Sequence, residues 1–303
     1  MQFRFSGHES FPFRYAWLPK AFRQLDKNSM LFTDESGAMV DLGVGKNMVR
    51  AIRFWVQVTG IAQPADKGFE PTVFGRRILS DYDEYLEDVR TLWLLHWNIS
   101  SRVDDPLFAW DYLLNKWQHP ELSRSEVLRA FEGEAIRLDR TLSEVTLAQH
   151  FDVFLHTYVS VVDDNQVHED SLDCPLSELR LVIPVGERRI GSGGRRETVY
   201  CFRREPKPEI TPALFIHCID DFWRKRRENE QTLTFRDISV AEGSPGQVFK
   251  LPEQDLRDRV ESIFDDSHGL FKFDESLAQQ VLTREDGQEC DLLAAIYNDE
   301  GVA

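Results

Sequence analysis

Cysteine is scarce in this chain. Four occur in 303 residues (Cys174, Cys201, Cys218 and Cys290), far apart and with no C-x-x-C pair. That excludes a disulfide framework and a zinc ribbon, and it reads as reduced core thiols in a cytosolic protein. Long apolar runs are missing as well. Nothing approaches the roughly 18 apolar residues of a membrane span, and the first residues form no apolar signal segment. A soluble cytoplasmic protein with no membrane contact is therefore expected. Basic charge is in deficit: 36 Lys and Arg face 52 Asp and Glu, a formal net charge of −16. A protein that coats DNA by bulk charge is excluded, so any DNA contact has to come from local basic patches. No H-E-x-x-H, G-x-S-x-G, H-N-H finger or cysteine quartet occurs, and there is no internal repeat or low-complexity segment.

What is present suffices for folding. With 42% hydrophobic and 12% aromatic residues the chain can bury a sizeable core, and its length suits two or three compact units. The organising stretch is residues 42–61, LGVGKNMVRAIRFWVQVTGI. On a helical wheel Val44, Met48, Ala51, Ile52, Trp55, Val56 and Val58 cover one side. Lys46, Arg50, Arg53 and Gln57 fall within about 60° of one another on the opposite side. Gly60 stands where a C′ glycine ends a helix. A basic stripe of this kind is either a solvated face or a recognition helix laid on nucleic acid. The following FEPTVFGRRIL, from Phe69, fits a small hairpin or wing closing onto a further helix and favours the second reading. The Gly-x-Gly-Lys at residues 43–46 is not a phosphate loop, because Val40 stands where the first glycine is needed and Asn47 where Ser or Thr is needed.

Around this stretch the patterns predict a helix at 16–25, a short strand at 39–42, and thus a winged-helix DNA-binding domain over residues 1–80. Residues 81–165 read as a helical bundle that admits a second helix-turn-helix. Helices are expected at 83–98, 107–117 and 141–162, with Ser123 and Glu126 as a capping box. His96 reads as a satisfied core histidine. Residues 166–303 read as a basic hairpin followed by a small α/β unit. Its strands are 181–185 and 197–202, with a flexible glycine tip between them. A proline linker follows at 206–212, then a helix at 213–227, a strand at 232–237, a helix at 252–265, strands at 271–273 and 277–282, and a mobile polar end. The fold class is mainly α, α+β.

Three places carry candidate chemistry. Six aromatics crowd residues 2–20 around the adjacent His8 and Glu9, a pair that can ligate a metal or act as acid and base; the plainer reading is a cap or a pairing with Arg14. Asp152 and His156 share a helix face at i, i+4, next to His150. Residues 186–204 hold six Arg and two Glu in an acidic chain, a composition suited to contacting a DNA backbone or minor groove. The DNA-binding candidates are Lys46, Asn47, Arg50 and Arg53 on the helix, Arg76 and Arg77 after the wing, and Arg188, Arg189, Arg195 and Arg196 on the hairpin.

Five blocks, SGHESFPFRYAWLPK (6–20), LGVGKNMVRAIRFW (42–55), EDVRTLWLLHWNI (87–99), EDSLDCPLSELRLV (169–182) and SPGQVFKL (244–251), together resemble a bacterial family long catalogued as a domain of unknown function. It includes SspB, the component of the Ssp DNA phosphorothioation system credited with nicking DNA. The resemblance implies a metal-dependent nicking endonuclease that opens one strand of double-stranded DNA so that a partner can insert sulfur, in an antiphage defence setting. It also implies the partners: a sulfur-transfer enzyme related to phosphoadenosine-phosphosulfate reductase, an ATPase and a cysteine desulfurase, with a homodimer admitted. Phosphodiester hydrolysis would call for a divalent ion, Mg2+ or Mn2+, for which His8, Glu9 and Asp41 are the candidate ligands; no catalytic residue is carried over from the family. The alternative is a non-catalytic winged-helix scaffold that recruits the sulfur enzymes.

Overall fold

The computed structural model of the chain describes residues 2–160, 174–190, 195–276, 280–285 and 290–298. Three helices open it: α1 (Trp17–Leu25), α2 (Glu35–Leu42) and α3 (Lys46–Val58). A two-stranded antiparallel hairpin follows, β1 (Ala62–Pro64) with β2 (Phe69–Pro71), and leads into α4 (Val73–Arg76), which widens into a π turn over Arg77–Tyr82. The strand expected at 39–42 is instead the last turn of α2. Asp34 caps that helix by accepting from Ser36 N, and Gly43, at φ +60°, closes it in the left-handed conformation. Two local end signals thus outweigh the β propensity of Met39 and Val40, whose side chains stay exposed.

The helical middle comprises α5 (Val89–Ser100), α6 (Phe108–Asp111) with a following π turn, α7 (Arg124–Arg137) and α8 (Glu144–Tyr158). Helix α5 starts six residues later than its apolar pattern. The Asp83 carboxylate binds the Glu87 and Asp88 amides in a turn where Leu86 sits at φ +61°, and Asp88 then caps the helix. The capping box at Ser123 and Glu126 does not form; their side chains bond to each other and to the Arg188 guanidinium, at 2.7 Å from each. The charge of Arg188 draws Glu126 away from the amides it would cap.

Strand β3 (Glu121–Ser123) and the hairpin of β4 (Val182–Ile190) and β5 (Arg195–Phe202) form an antiparallel sheet in the order β3-β5-β4. Its register shifts between Pro184, which has no N–H to donate, and Gly186. The glycine tip lies outside the described residues, and so does the Arg195 side chain. Helix α9 (Pro212–Arg226) then runs against the middle. A second sheet, β6-β8-β7, joins β6 (Thr232–Thr234), β7 (Phe271–Glu275) and β8 (Gln280–Arg284). The strand expected at 232–237 ends at Thr234, because Thr234 and Asp237 make a true capping box that begins α10 (Phe235–Val240). Helices α11 (Pro245–Val248), α12 (Glu253–Glu261) and α13 (Ile263–Asp266) follow, the last two dividing the single helix expected at 252–265.

Two further expectations change. Residues 206–212 are not a loose linker: Lys207 is fully buried and its ammonium donates to the carbonyls of Arg203, Glu205 and Lys250. Nor is the end of the chain loose up to Asn298. Helix α14 (Leu292–Asn298) docks on α9, Tyr297 stacks on Tyr82 at 4.3 Å, and Arg77 binds Asp291 at 2.7 Å. Cys174 and Cys218 are buried, but Cys290 is exposed and not a core thiol; all four are free. Among the described residues no helix is long and apolar enough to cross a membrane.

The buried side chains form one contiguous cluster from Phe13 to Ile296. Trp55 stands near its N-terminal end with no exposed surface. Its indole N–H donates to Phe11 O at 2.9 Å, and its ring meets those of Phe13, Phe54 and Trp110. Trp55→Ala is expected to lower unfolding stability by about 3–5 kcal/mol, measured by urea denaturation; a loss below about 1 kcal/mol would contradict this packing.

Candidate nucleic-acid interface and the adjoining hollow

Helix α3 turns Val49, Ala51, Ile52, Phe54, Trp55, Val56 and Val58 inward. Periodicity then leaves Lys46, Asn47, Arg50 and Arg53 exposed on the other side. Lys46 and Arg50 converge on Glu35 of α2, at 2.9 and 2.6 Å. The two cations hold the Glu35 carboxyl below its ordinary range, Arg50 chiefly, and Glu35 in turn raises the Arg50 guanidinium. Arg53 lies over the Phe69 ring at 5.1 Å and makes no ion pair among the described residues. It is the least committed cation of the stripe.

Beside this face the Ser-Gly-His-Glu-Ser turn makes one wall of an open hollow of about 380 Å³. Arg4, Arg50 and Arg53 line it together with Glu9 and Glu35. The turn is built on unusual backbone. Gly7 sits at φ +115°, with Phe54 so close that a Cβ there would lie 2.7 Å from its ring, and Glu9 and Ser10 follow at φ +49° and +67°. Consecutive non-glycine residues in that region cost energy and persist only where surroundings fix them.

His8 supplies the fixing. It does not line the hollow. It is 4% exposed, its Nδ1 accepts from Ser10 N at 3.2 Å, and its Nε2 meets His150 Nδ1 at 2.9 Å with the rings stacked. Because Nδ1 accepts, Nε2 carries the proton and donates to His150. His150, wholly buried among Phe5, Phe108 and Trp110, is then protonated on its own Nε2, which has no acceptor. Burial lowers His8 to about 4 and His150 well below the ordinary histidine range. Aromatic density at residues 2–20 pulls His8 into the core and leaves the neighbouring Glu9 at the surface.

The other sequence candidates scatter. Asp152 pairs with Arg124 across the surface, and His150 on the same helix is committed to His8, so no metal pair forms with His156. Among the described residues no three His, Cys, Asp or Glu side chains converge to hold an ion. Arg76 pairs with Asp26, and Arg77 is a strut to Asp291 and the Tyr82 hydroxyl rather than a free cation. On the hairpin Arg188 is held by Ser123 and Glu126, Arg196 pairs with Glu187 at 3.1 Å, and Arg189 is exposed. His96 is the core histidine anticipated, bonded to the Tyr158 hydroxyl at 2.7 Å and Val248 O at 3.0 Å. Sequence reasoning missed Arg4 and Glu35, and it set His150 beside Asp152 and His156 rather than against His8. Glu35 was recoverable from the Asp34 cap one position before it; the partner of His8, 142 residues away, was not.

A protein family described as "Protein of unknown function (DUF4007)" matches residues 5–297. The chain belongs to the DUF4007 family. Two solved structures share the fold of this DUF4007 chain. One, described as "Magnesium ion-bound SspB crystal structure", is 25% identical at a TM-score of 0.77, covering 92% of this chain and 82% of that one. The other, described as "SspB crystal structure", is 22% identical at the same TM-score, covering 97% and 87%. No curated protein matches the chain.

The buried histidines make the DUF4007 chain acid-sensitive. His8, His96 and His150 all have lowered folded values, chiefly through burial. Unfolding therefore takes up protons below the ordinary histidine value of 6.5, and stability present above that pH is lost as pH falls. Asp111, raised by burial, works in the opposite sense as a single group. Urea midpoints are expected to fall between pH 7 and pH 5; midpoints that hold or rise would contradict the neutral buried pair.

Proposed function

We propose that this chain handles double-stranded DNA within a bacterial DNA phosphorothioation system, as the subunit that nicks one strand. The observation that carries the reading is the exposed α3 face with Arg53 uncommitted, opening directly onto a hollow that holds an accessible carboxylate. Likeness in fold and family to SspB structures supplies the system. In this reading α1–α3 and the β1–β2 hairpin act as a winged helix. Lys46, Asn47, Arg50 and Arg53 hold successive phosphates, which positions the duplex without reading its sequence. Arg189 and Arg196 of the second hairpin are candidates for a further backbone contact.

One of the two solved structures is described as magnesium-bound. Magnesium commonly takes one or two protein carboxylates and fills its remaining positions with water and substrate phosphates. Glu9 fits that partial donor set, while Glu35 is already held by Lys46 and Arg50. When bound, such an ion neutralises charge on phosphoryl oxygens. The chain's own contribution is positional: His8 and the strained turn fix Glu9 beside the phosphates that Arg50 and Arg53 attract. Asp41 is exposed near the end of α2 and does not line the hollow.

The sparse donor set favours a second reading, in which the same face binds DNA and the protein recruits the sulfur-transfer enzyme without cutting. Relaxation of supercoiled plasmid with and without Mg2+ or Mn2+ separates the two. Nicking by the wild type, abolished in Glu9→Ala with DNA affinity nearly unchanged, is the expected outcome. Bound but intact plasmid at every metal concentration would leave the scaffold. Replacing Lys46, Arg50 and Arg53 together by Ala should weaken binding to all sequences and reduce the salt slope by about 2–3; an unchanged slope would remove α3 as the interface.

A further inference from the structure

A second cavity, of about 430 Å³, lies where the end of α3, the end of α5 and one face of α9 meet. Its size falls within the roughly 300–1,000 Å³ typical of small-molecule sites. We propose that it binds a phosphate group, carried by a nucleotide or by a DNA end, with Arg102 and His217 as its principal contacts.

The polar groups around this cavity are unequal in what they have left to give. Asp221 accepts from the Trp97 indole at 2.7 Å and pairs with Lys225 at 2.7 Å, so its charge is spent. Asn98 donates to Thr59 O at 3.0 Å and is likewise engaged. Arg102 is different. Its guanidinium is half-buried, one terminal nitrogen donates to the backbone oxygen of Asp104 at 3.2 Å, and its buried Nε has no acceptor. Among the described residues no carboxylate pairs with it; the Asp104 side chain is exposed at the rim. Burial chiefly, and then the neighbouring Arg4, lower its proton affinity, and Asp105 and Asp104 offset only part of this.

His217 projects from α9 one turn before Asp221, and neither ring nitrogen has a hydrogen-bond partner among the described residues. A guanidinium short of acceptors beside an unpartnered imidazole is a donor-rich end. Arginine matches phosphate oxygens through paired, parallel N–H groups. A cation is disfavoured there, since Asp221 is already neutralised by Lys225. The other wall is apolar, formed by Val58, Phe74 and Val103, which suits the sugar or base that accompanies a phosphate rather than a bare ion. Since the lining comes from three distant parts of the chain, occupancy would tie α9 to the ends of α3 and α5 and stabilise the whole protein.

This site shares no residue with the α3 face or the Glu9 hollow, so the experiment reads it whether or not the chain nicks DNA. The full chain is titrated with inorganic phosphate and with dAMP by calorimetry and thermal shift. In parallel, a single-stranded oligonucleotide bearing a 5′-phosphate is compared with its 5′-hydroxyl form by anisotropy. Phosphate and dAMP should bind and raise the melting temperature. Arg102→Gln and, independently, His217→Gln should each weaken both by about tenfold or more, the scale of a lost charge-assisted hydrogen bond. A preference for the 5′-phosphorylated strand that disappears in these variants identifies a DNA end as the source. Binding of dAMP without that preference identifies a free nucleotide. His217→Gln keeps the test usable should Arg102→Gln fail to fold. No binding by the folded wild type, or equal affinity in both folded variants, overturns the proposal.

Discussion

The packing of Trp55 is the constraint on which the candidate interface depends. A helix with one apolar and one basic side can rotate on its axis unless something large and specific locks it. Here the indole is fully enclosed, its N–H is satisfied by Phe11 O, and three aromatic rings surround it. Any rotation of α3 would expose the ring and break that hydrogen bond in the interior, where an unmade bond is costly. The basic side therefore faces solvent. The same bond ties the N-terminal segment to the helix, which brings the Ser-Gly-His-Glu-Ser turn alongside Arg50 and Arg53.

Behind this helix the core carries more polar chemistry than its size requires, and most of it joins distant segments. The Tyr158 hydroxyl meets both His96 and the Trp110 indole. Lys207 and Lys250 are buried with their ammonium groups on backbone carbonyls, and burial lowers both, Lys207 to about 8. Such groups add less to net stability than apolar packing would, but they admit few alternative arrangements, because each needs its partner in one place. The His8–His150 pair works in this way. It spans 142 residues, holds a strained turn and leaves Glu9 on the surface. The orphaned N–H of His150 has no evident compensation beyond the aromatic rings around it.

Charge follows a comparable rule. An acidic chain can present a basic face only where the acids are kept away or deliberately paired. Glu35 pairs with Lys46 and Arg50 at the edge of the stripe, whereas Arg53 is left to the Phe69 ring. On the hairpin and just after it, Arg188, Arg196 and Arg203 are spent internally, on Glu126, Glu187 and Glu205. Counting charges along residues 186–204 overstated what that segment can offer a partner, since cross-strand and sheet-to-helix neighbours do not appear in a linear count.

The sequence by itself determined the α3 helix, its inward and outward faces, the Gly60 stop and the core role of His96. Each of these rests on periodicity or on a local end signal, and both are written within a few residues. The hairpin was expected from Phe69 onward, whereas it begins at Ala62 and Phe69–Pro71 is its second strand. Family membership was also legible, because it rests on long blocks of residues. Tertiary structure alone decided the fate of side chains whose partners lie far along the chain. His8 went inward to meet His150, Arg77 became a strut to Asp291, and Arg188 left Ser123 and Glu126 unable to cap α7. It also assembled the two hollows, each lined by elements that are remote in sequence. Long-range pairings of this kind follow from which surfaces the common core brings together, and no local pattern encodes that.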